Sequence, residues 1–278
     1  MKITVLIENT AIEPLKCEHG LSMFIEFQGN KYLLDAGTTD LFLENAKQLN
    51  VPVCDVSICV LSHGHYDHSG GFGTYLRENE NASVYMMQAA GEAYYSGSGD
   101  FYYIGIPQQI LKEHGNRFRK ITEITKIDEN VYLVPHFTQG LESIGKRAKL
   151  YVKQGEDYFP DDFSHELSLV FDTEQGLVIL NSCSHGGAEN IIREVKAALP
   201  GKKLYAFLGG LHMKGKRGKE EICTFSEEEI ALLVDCLKRE GLKYVYTGHC
   251  TGAKGIEMLK QYAGDLIQEL TAGRIIEL

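Results

Sequence analysis

The sequence predicts an α/β fold, and two observations support that class. Short apolar runs with strand character alternate with helical patterns along most of the 278 residues. Four of the predicted strands end in glycine-containing loops that carry histidine, at residues 63–68, 185, 212 and 249. Because loops at the carboxyl ends of strands build the binding sites of α/β sheets, we expect most of these loops to converge.

The elements of the first half follow from apolar runs and from turn residues. A hairpin is expected around Gln28-Gly29-Asn30, since glycine and asparagine suit a tight turn. A helix is expected from about Asp40 to Leu49, with Asp40 as its N-cap. The other elements expected here are strands at 2–8, 21–27, 31–35, 56–61 and 83–87 and a helix at 71–80.

The second half repeats the strand-then-helix pattern. A helix is expected over 226–240, because Ser226 is followed three residues later by Glu229, the arrangement of a capping box. The other elements expected here are strands at 131–134, 148–152, 167–172, 177–180, 203–208, 244–247 and 274–277 and helices at 189–199 and 253–262.

Residues 91–130 show neither the alternating pattern of a strand nor the apolar repeat of a helix. Aromatic residues cluster among serine and glycine between residues 94 and 103, and a mixed polar stretch follows. One interpretation is an insertion that packs a small core of its own, and the other is an aromatic lid or a subunit contact. With no linker-like segment elsewhere, we predict one domain over residues 1–278, with an insertion or lid at about 91–130.

Composition and charge limit the kinds of partner that the protein is expected to have. The chain has 28 basic and 38 acidic residues and a net charge of −10, which argues against nucleic acid. No run approaches the roughly 18 apolar residues that span a bilayer, and the N-terminus starts as a strand without a signal-peptide pattern. Seven cysteines at irregular spacing favour a reducing cytoplasm. We therefore expect a cytoplasmic protein with a small-molecule substrate and no nucleic-acid or membrane partner, and homo-oligomerisation stays open.

The loop after the strand at 56–61 is the richest part of the chain in metal-binding side chains. His63, His65, Asp67 and His68 fall within six positions. Neutral imidazole and carboxylate suit zinc, iron or manganese. Four such groups are too many for one tetrahedral centre with an open position. The spacing predicts two adjacent ions, with His63 and His65 on one and Asp67 and His68 on the other.

Several motifs along the chain occur in the order of a known family, namely Leu33-Leu34-Asp35-Ala36-Gly37, His63-Gly64-His65-Tyr66-Asp67-His68, Gly186-Gly187 and Gly248-His249. With these motifs the sequence resembles the metallo-β-lactamase superfamily. The resemblance implies an αββα sandwich, in which two mixed sheets lie face to face with helices outside and a metal centre at one edge. The loops at 183–187, 209–212 and 248–252 resemble a narrower group, described as dihydropterin ribofuranosyl-aminobenzene phosphate synthase-like or ferredoxin-like metallo-hydrolases.

The resemblance assigns the metal ligands by position. His63 and His65 match the pair on the first metal, Asp67 and His68 match the pair on the second, and His249 matches the last histidine on the second metal.

Two departures from the family pattern affect the remaining ligands. Where the family usually has a bridging aspartate, this chain has Cys183, and His185 follows two residues later. We predict His185 as a ligand. Family members often have a further histidine on the first metal. Four residues of this chain are alternative candidates for that ligand position: Asp162, His165, Glu166 and Cys183. The number of ions is therefore one or two, with zinc expected and iron or manganese as alternatives.

The chemistry that the resemblance implies is hydrolysis by a metal-activated water. Asp67 would orient that water or accept a proton, and His212 would donate a hydrogen bond or a proton to the substrate, or else support the ligands from behind. Basic clusters at 146–149 and 214–219 are either solvated turns or contacts to an anion. The expected activity is hydrolysis of a small anionic ester, lactone, thioester or phosphodiester. The alternative is a non-hydrolytic member of the fold that binds metal or ligand.

Overall fold

The computed structural model describes all residues from Met1 to Leu278. They form two compact units, each of which is built from strands and helices, so the α/β class is confirmed. Unit 1 comprises Met1–Glu123, Pro135–Leu167 and Thr271–Leu278, and unit 2 comprises Ile124–Val134 and Ser168–Leu270. The single-domain assignment stays a prediction.

The strands are short and numerous. In chain order they are β1 (Lys2–Ile7), β2 (Ser22–Phe27), β3 (Asn30–Leu34), β4 (Ile58–Val60), β5 (Ser83–Met87), β6 (Tyr94–Gly97), β7 (Phe101–Tyr103), β8 (Phe118–Ile121), β9 (Thr125–Asp128), β10 (Val131–Pro135), β11 (Leu150–Gln154), β12 (Asp157–Pro160), β13 (Leu167–Thr173), β14 (Gly176–Leu180), β15 (Leu204–Leu208), β16 (Lys214–Arg217), β17 (Glu220–Cys223), β18 (Tyr244–Thr247), β19 (Ile267–Glu269) and β20 (Ile275–Glu277).

The helices mostly connect parallel strands. They are α1 (Leu41–Gln48), α2 (Tyr66–Ser69), α3 (Phe72–Glu78), α4 (Gln108–His114), α5 (Glu142–Ala148), α6 (Ala188–Ala198), α7 (Glu227–Arg239) and α8 (Gly252–Ala263). All five helices expected from the sequence are present, with ends that differ by one or two residues. No helix is long and apolar enough to cross a membrane.

Unit 1 contains a seven-stranded mixed sheet in the order β20-β1-β2-β3-β4-β5-β8. Strands β1, β2 and β3 are antiparallel, and β3, β4, β5 and β8 run parallel. The predicted hairpin is confirmed, because Gln28 and Gly29 both have positive φ, 49° and 83°, as a tight hairpin turn requires. The parallel half brings the ends of β3 and β4 side by side, and both ends carry polar residues.

Asp40 stands at the N-cap position of helix α1, as predicted, but its side chain does not cap the helix. Asp40 makes no capping hydrogen bond to the helix, and its carboxylate accepts a hydrogen bond from Thr74 instead. The Leu41 amide donates to the Thr39 hydroxyl at 3.2 Å. The hydroxyl of the residue before the N-cap therefore accepts from the first turn of the helix in place of the Asp40 carboxylate.

Residues 91–130 do not form one separate body. Strands β6 and β7 join β11 and β12 in a four-stranded antiparallel sheet of unit 1, in which the rings of Phe101 and Tyr158 stack at 4.0 Å. Helix α4 leads to β8 at the edge of the larger sheet, and β9 belongs to unit 2. The strand expected from residue 148 starts at Leu150, because α5 extends to Ala148. A role of this segment as a lid stays a prediction.

Unit 2 is built on a second seven-stranded mixed sheet, ordered β19-β18-β15-β14-β13-β10-β9. Strands β14, β15, β18 and β19 are parallel, and β13 pairs with β14 antiparallel. Helices α6, α7 and α8 contribute apolar side chains such as Ile191, Leu233 and Leu259 to the core that also holds Ile179 and Phe207 of the sheet. The capping box predicted at the start of α7 is confirmed.

Candidate metal centre

The histidine loop of unit 1 starts at the carboxyl end of β4. The four predicted ligands are all buried. The imidazole of His63 lies 4.2 Å from that of His68 and 4.6 Å from that of His65, measured between ring centroids. The three histidine rings of the loop are therefore close together, and their assignment to two adjacent ions stays a prediction.

Close backbone approach explains the glycines of this loop. A Cβ at Gly64 would lie 2.6 Å from the carbonyl oxygen of Ala90, and a Cβ at Gly70 would overlap the carbonyl group of Thr38. Neither glycine has a positive φ, so lack of space at the loop is the constraint. The loop is thereby pressed against neighbouring segments of unit 1.

The carboxylate of Asp35, at the end of β3, anchors the histidine loop. It accepts hydrogen bonds from the Ser62 amide at 2.8 Å and from the Ser62 hydroxyl at 2.7 Å, and it contacts Nδ1 of His68 at 2.7 Å. Asp35 is fully buried and has a positive φ of 57°, a strained conformation of the kind held at functional sites. The sequence motif contained this residue, but its role emerges only from the contacts.

The same hydrogen bonds determine which nitrogen of each histidine can bind a metal. The hydroxyl proton of Ser62 goes to Asp35, so Ser62 Oγ accepts from Nδ1 of His63, at 2.8 Å. Nδ1 of His68 donates to the carboxylate of Asp35. In both residues the proton is therefore on Nδ1, and Nε2 keeps its lone pair for a ligand bond.

The electrostatics of His65 also favour the neutral ring. Burial, followed by the neighbouring imidazole of His165, lowers the pKa of His65 to about 3. A neutral imidazole is the form that binds zinc, iron or manganese. The donor set of this loop therefore fits the metal ions expected from the sequence.

A further histidine that the sequence interpretation missed lies beside Asp67. Nε2 of His19 is 3.2 Å from the Asp67 carboxylate, and the His19 side chain is 53% exposed. Gly20, with a φ of 147°, lets this segment run against the backbone of Asp67. The signal available in the sequence was a single histidine before a glycine, which does not by itself indicate a site.

The candidates at 161–166 differ in their surroundings. Asp162 is exposed, and its carboxylate accepts a hydrogen bond from the Ser164 amide, as in a local turn. His165 and Glu166 are buried. His165 forms, with His65 and Asp161, a cluster whose ligand atoms lie within 4.8 Å of one another. Asp161 was not among the residues considered from the sequence.

Unit 2 carries its own set of predicted site residues at the carboxyl ends of parallel strands. Cys183 and His185 follow β14, His212 follows β15 and His249 follows β18, and these strands are neighbours in the order β14-β15-β18. The rings of His185 and His212 are 4.3 Å apart. Cys250, which was not predicted, has its sulfur 3.5 Å from the carbonyl oxygen of Cys183.

The backbone at this edge of unit 2 is strained. Ser184, His212 and His249 are non-glycine residues with positive φ, at 54°, 48° and 48°. Such conformations cost about 1–3 kcal/mol each and cluster at functional sites. Gly209 and Gly210 let neighbouring segments of unit 2 pack closely. A Cβ at Gly209 would overlap the backbone of Asn181, and a Cβ at Gly210 would overlap the sulfur of Cys250.

The thiol of Cys250 is electrostatically unusual. Burial opposes its ionisation, but hydrogen bonds with Cys183 and His212 and the charges of His249 and His212 hold the pKa of Cys250 well below its usual range. Unit 2 therefore offers sulfur as well as imidazole donors, a combination that zinc and iron accept.

Comparison with known proteins defines the class. Residues 15–177 match the family model of the metallo-beta-lactamase superfamily, and the chain belongs to that superfamily. It is 28% identical to a 7,8-dihydropterin-6-methyl-4-(beta-D-ribofuranosyl)-aminobenzene-5'-phosphate synthase of Methanocaldococcus jannaschii, over 100% of this chain and 96% of the relative.

Solved structures support the same fold. One is Tm1679, described as a metal-dependent hydrolase of the beta-lactamase superfamily, with a TM-score of 0.82, 27% identity and coverage of 100% of this chain and 99% of the other. Zn²⁺-bound PqqB from Methylobacterium extorquens shares the fold alone, with a TM-score of 0.55, 12% identity and full coverage of both chains. The αββα sandwich expected from the sequence is thus confirmed as the fold class, and the superfamily is metal-binding.

Proposed function

We propose that the protein is a metal-dependent hydrolase of a small anionic metabolite. The proposed metal ligands are six residues: His63, His65, Asp67, His68, His185 and His249. The observation that carries the proposal is the Asp35 network, which fixes the protons of His63 and His68 on Nδ1 and leaves Nε2 for coordination. A loop that served only to pack the fold would not need this arrangement.

Zinc is the proposed metal, as one or two ions, with iron or manganese as alternatives. When bound, it would supply Lewis acidity and lower the pKa of a coordinated water to about 7. The chain's own part is to orient the reactants. Asp67 holds the attacking water or accepts its proton, and His212 donates a hydrogen bond to the substrate. The odd number of irregularly spaced cysteines supports a cytoplasmic location.

The anionic character of the substrate is supported by the β16–β17 hairpin that follows His212. Lys214 pairs with Glu221 at 3.3 Å, whereas Lys216 and Arg217 are exposed. We propose that Lys216 and Arg217 contact the substrate anion. The other basic cluster, Lys146–Lys149, lies at the carboxyl end of α5, where cations offset the helix dipole. The helix dipole therefore explains this cluster without a contact to substrate.

A transfer reaction is the second candidate, because a relative that matches the whole chain is named as a synthase. That relative's product contains a pterin and a ribofuranosyl phosphate. A non-hydrolytic role in binding metal or ligand is supported by Cys183, which stands where family hydrolases usually have an aspartate.

One experiment separates these candidates. Metal-loaded protein is assayed with phosphodiesters, esters, lactones and thioesters, and separately with a pterin donor and an aryl riboside phosphate acceptor. Hydrolysis that is lost in His65→Ala supports the proposal. Product formation in the second assay alone supports transfer, and no turnover in either assay supports a binding protein. Lys146→Ala is the control, since Lys146 lies outside the proposed site.

A further inference from the structure

A buried Asp–His pair contacts the backbone of the histidine loop of unit 1. His165 has no exposed surface, and Asp161 is 1% exposed. Nδ1 of His165 accepts a hydrogen bond from the Gly64 amide at 2.9 Å, and Nε2 of His165 lies 3.0 Å from the Asp161 carboxylate. Gly64 separates the predicted ligands His63 and His65, so the pair acts on the peptide between them.

The hydrogen-bond pattern defines the tautomer of His165. The Gly64 amide can only donate, so Nδ1 must be the unprotonated nitrogen. Nε2 therefore carries the proton and donates it to the Asp161 carboxylate. The other oxygen of Asp161 accepts from the Phe163 amide at 2.8 Å, which fixes the orientation of the carboxylate. Both nitrogens of His165 are thus used in hydrogen bonds within unit 1.

Packing around the pair leaves it little freedom. The ring of Tyr94 lies 4.0 Å from that of His165, and the Tyr94 hydroxyl donates to the Ala89 carbonyl group. On the other side, Gly145 of helix α5 approaches the backbone of Asp161 so closely that a Cβ there would overlap it. A Cβ at Gly64 would also meet the carbonyl oxygen of Ala90 at 2.6 Å, so the Gly64 backbone lies close against Ala90 as well.

We propose that Asp161 and His165 are positioning residues that hold the Gly64 peptide and, through it, the side chains of His63 and His65. The inference rests on the proposed metal-binding function of this loop. It removes His165 from the residues that compete for a ligand position, because its imidazole supports the loop from behind. The cluster of His65, Asp161 and His165 is then a supporting cluster and no metal site of its own.

The sharpest test is Asp161→Asn, which keeps the shape of the side chain. The side-chain amide of asparagine has one oxygen, so it cannot accept from both Nε2 of His165 and the backbone amide of Phe163. Either the hydrogen bond from Phe163 or the required tautomer of His165 is then lost. We expect the affinity for Zn²⁺, measured by competition with a chromophoric chelator, to fall about 10–100-fold. We also expect the Gly64 amide of the metal-free protein to exchange its hydrogen faster, as measured by NMR.

Two substitutions of His165 separate positioning from metal binding and from packing. In His165→Asn, Oδ1 takes the place of Nδ1 and still accepts from the Gly64 amide, so Zn²⁺ affinity should stay near that of the wild type. His165→Phe keeps a ring against Tyr94 but has no acceptor, so affinity should fall as in Asp161→Asn. Equal loss in His165→Asn and His165→Phe would overturn the proposal.

The control is Tyr75→Phe, which removes buried hydrogen bonds to Val53, Val56 and Asn79 of unit 1, away from the loop. It should lower the melting temperature but leave Zn²⁺ affinity and Gly64 exchange unchanged. Wild-type protein that binds no metal would contradict the proposed function, whereas the exchange rate of Gly64 would still decide the positioning role. An unchanged Gly64 exchange rate in Asp161→Asn would overturn that role.

Discussion

At the scale of single residues, the Asp35 carboxylate connects the end of one strand to the loop after the next. It receives hydrogen bonds from Ser62 and His68 and, through the Ser62 hydroxyl, sets the orientation of His63. Two proposed ligands thus depend on a residue that would not touch the metal.

Replacing Asp35 with asparagine tests this dependence. The amide oxygen of asparagine can replace only one of the two carboxylate oxygens. Either the Ser62 amide, or the Ser62 hydroxyl together with Nδ1 of His68, then loses its buried acceptor. We expect Zn²⁺ affinity to fall about 10–100-fold and the free energy of unfolding to fall by about 1–3 kcal/mol. Chelator competition and urea unfolding measure the two effects. Asp55→Asn, a surface change at an ion pair with Lys31, should alter neither.

The buried imidazole of His65 makes stability depend on pH. Its folded-state pKa of about 3 lies below the ordinary histidine pKa of 6.5, so between these pH values the unfolded chain binds a proton that the folded chain does not. The free energy of unfolding of the metal-free protein should therefore fall as the pH decreases from 6.5 toward 3. In His65→Gln, the slope of the unfolding free energy against pH should be smaller by the contribution of one proton. Urea titrations at several pH values would measure this slope. Identical slopes would contradict the assignment.

At the scale of elements, the sequence predicted those parts that repeat a period or carry a motif. The buried strands β1–β5 and the amphipathic helices α6–α8 have such a period. Strands β6 and β7 escaped prediction because β6 pairs with the distant strand β11 and β7 pairs with β6, and short aromatic strands show no period of their own. His19 and Asp161 were missed for a related reason, since only tertiary contacts bring them to the loop.

The tightness of the histidine loop leads to a prediction for its glycines. A Cβ at Gly70 would overlap the Thr38 carbonyl group, which is backbone and cannot move aside alone. Gly70→Ala should therefore destabilise the protein by about 1–3 kcal/mol and weaken metal binding. Gly115→Ala, where a Cβ meets nothing within 4 Å, is the matched control and should be neutral. Thermal unfolding with and without Zn²⁺ distinguishes the two, and equal behaviour would contradict the packing argument.

At the scale of the whole molecule, the fold and the ligand motif were accessible from the sequence, whereas substrate and metal number were not. The motif His63–His68 has a spacing that few other structures require, so it identified the superfamily. Under the proposed function, substrate choice would depend on loops and hairpins whose side chains have no fixed spacing, such as the proposed anion contacts Lys216 and Arg217. Likeness to both a synthase and a hydrolase is consistent with one fold supporting different reactions.

The most direct test of the account is the metal content of protein purified without chelator, determined by mass spectrometry for the wild type, His65→Ala and His249→Ala. His114→Ala, on helix α4, is the control. We predict about one or two ions per wild-type chain, and a loss of metal in both site variants but not in the control. A wild-type chain without metal, or full metal content in His65→Ala, would contradict the central claim that the histidine loop at residues 63–68 is a metal centre.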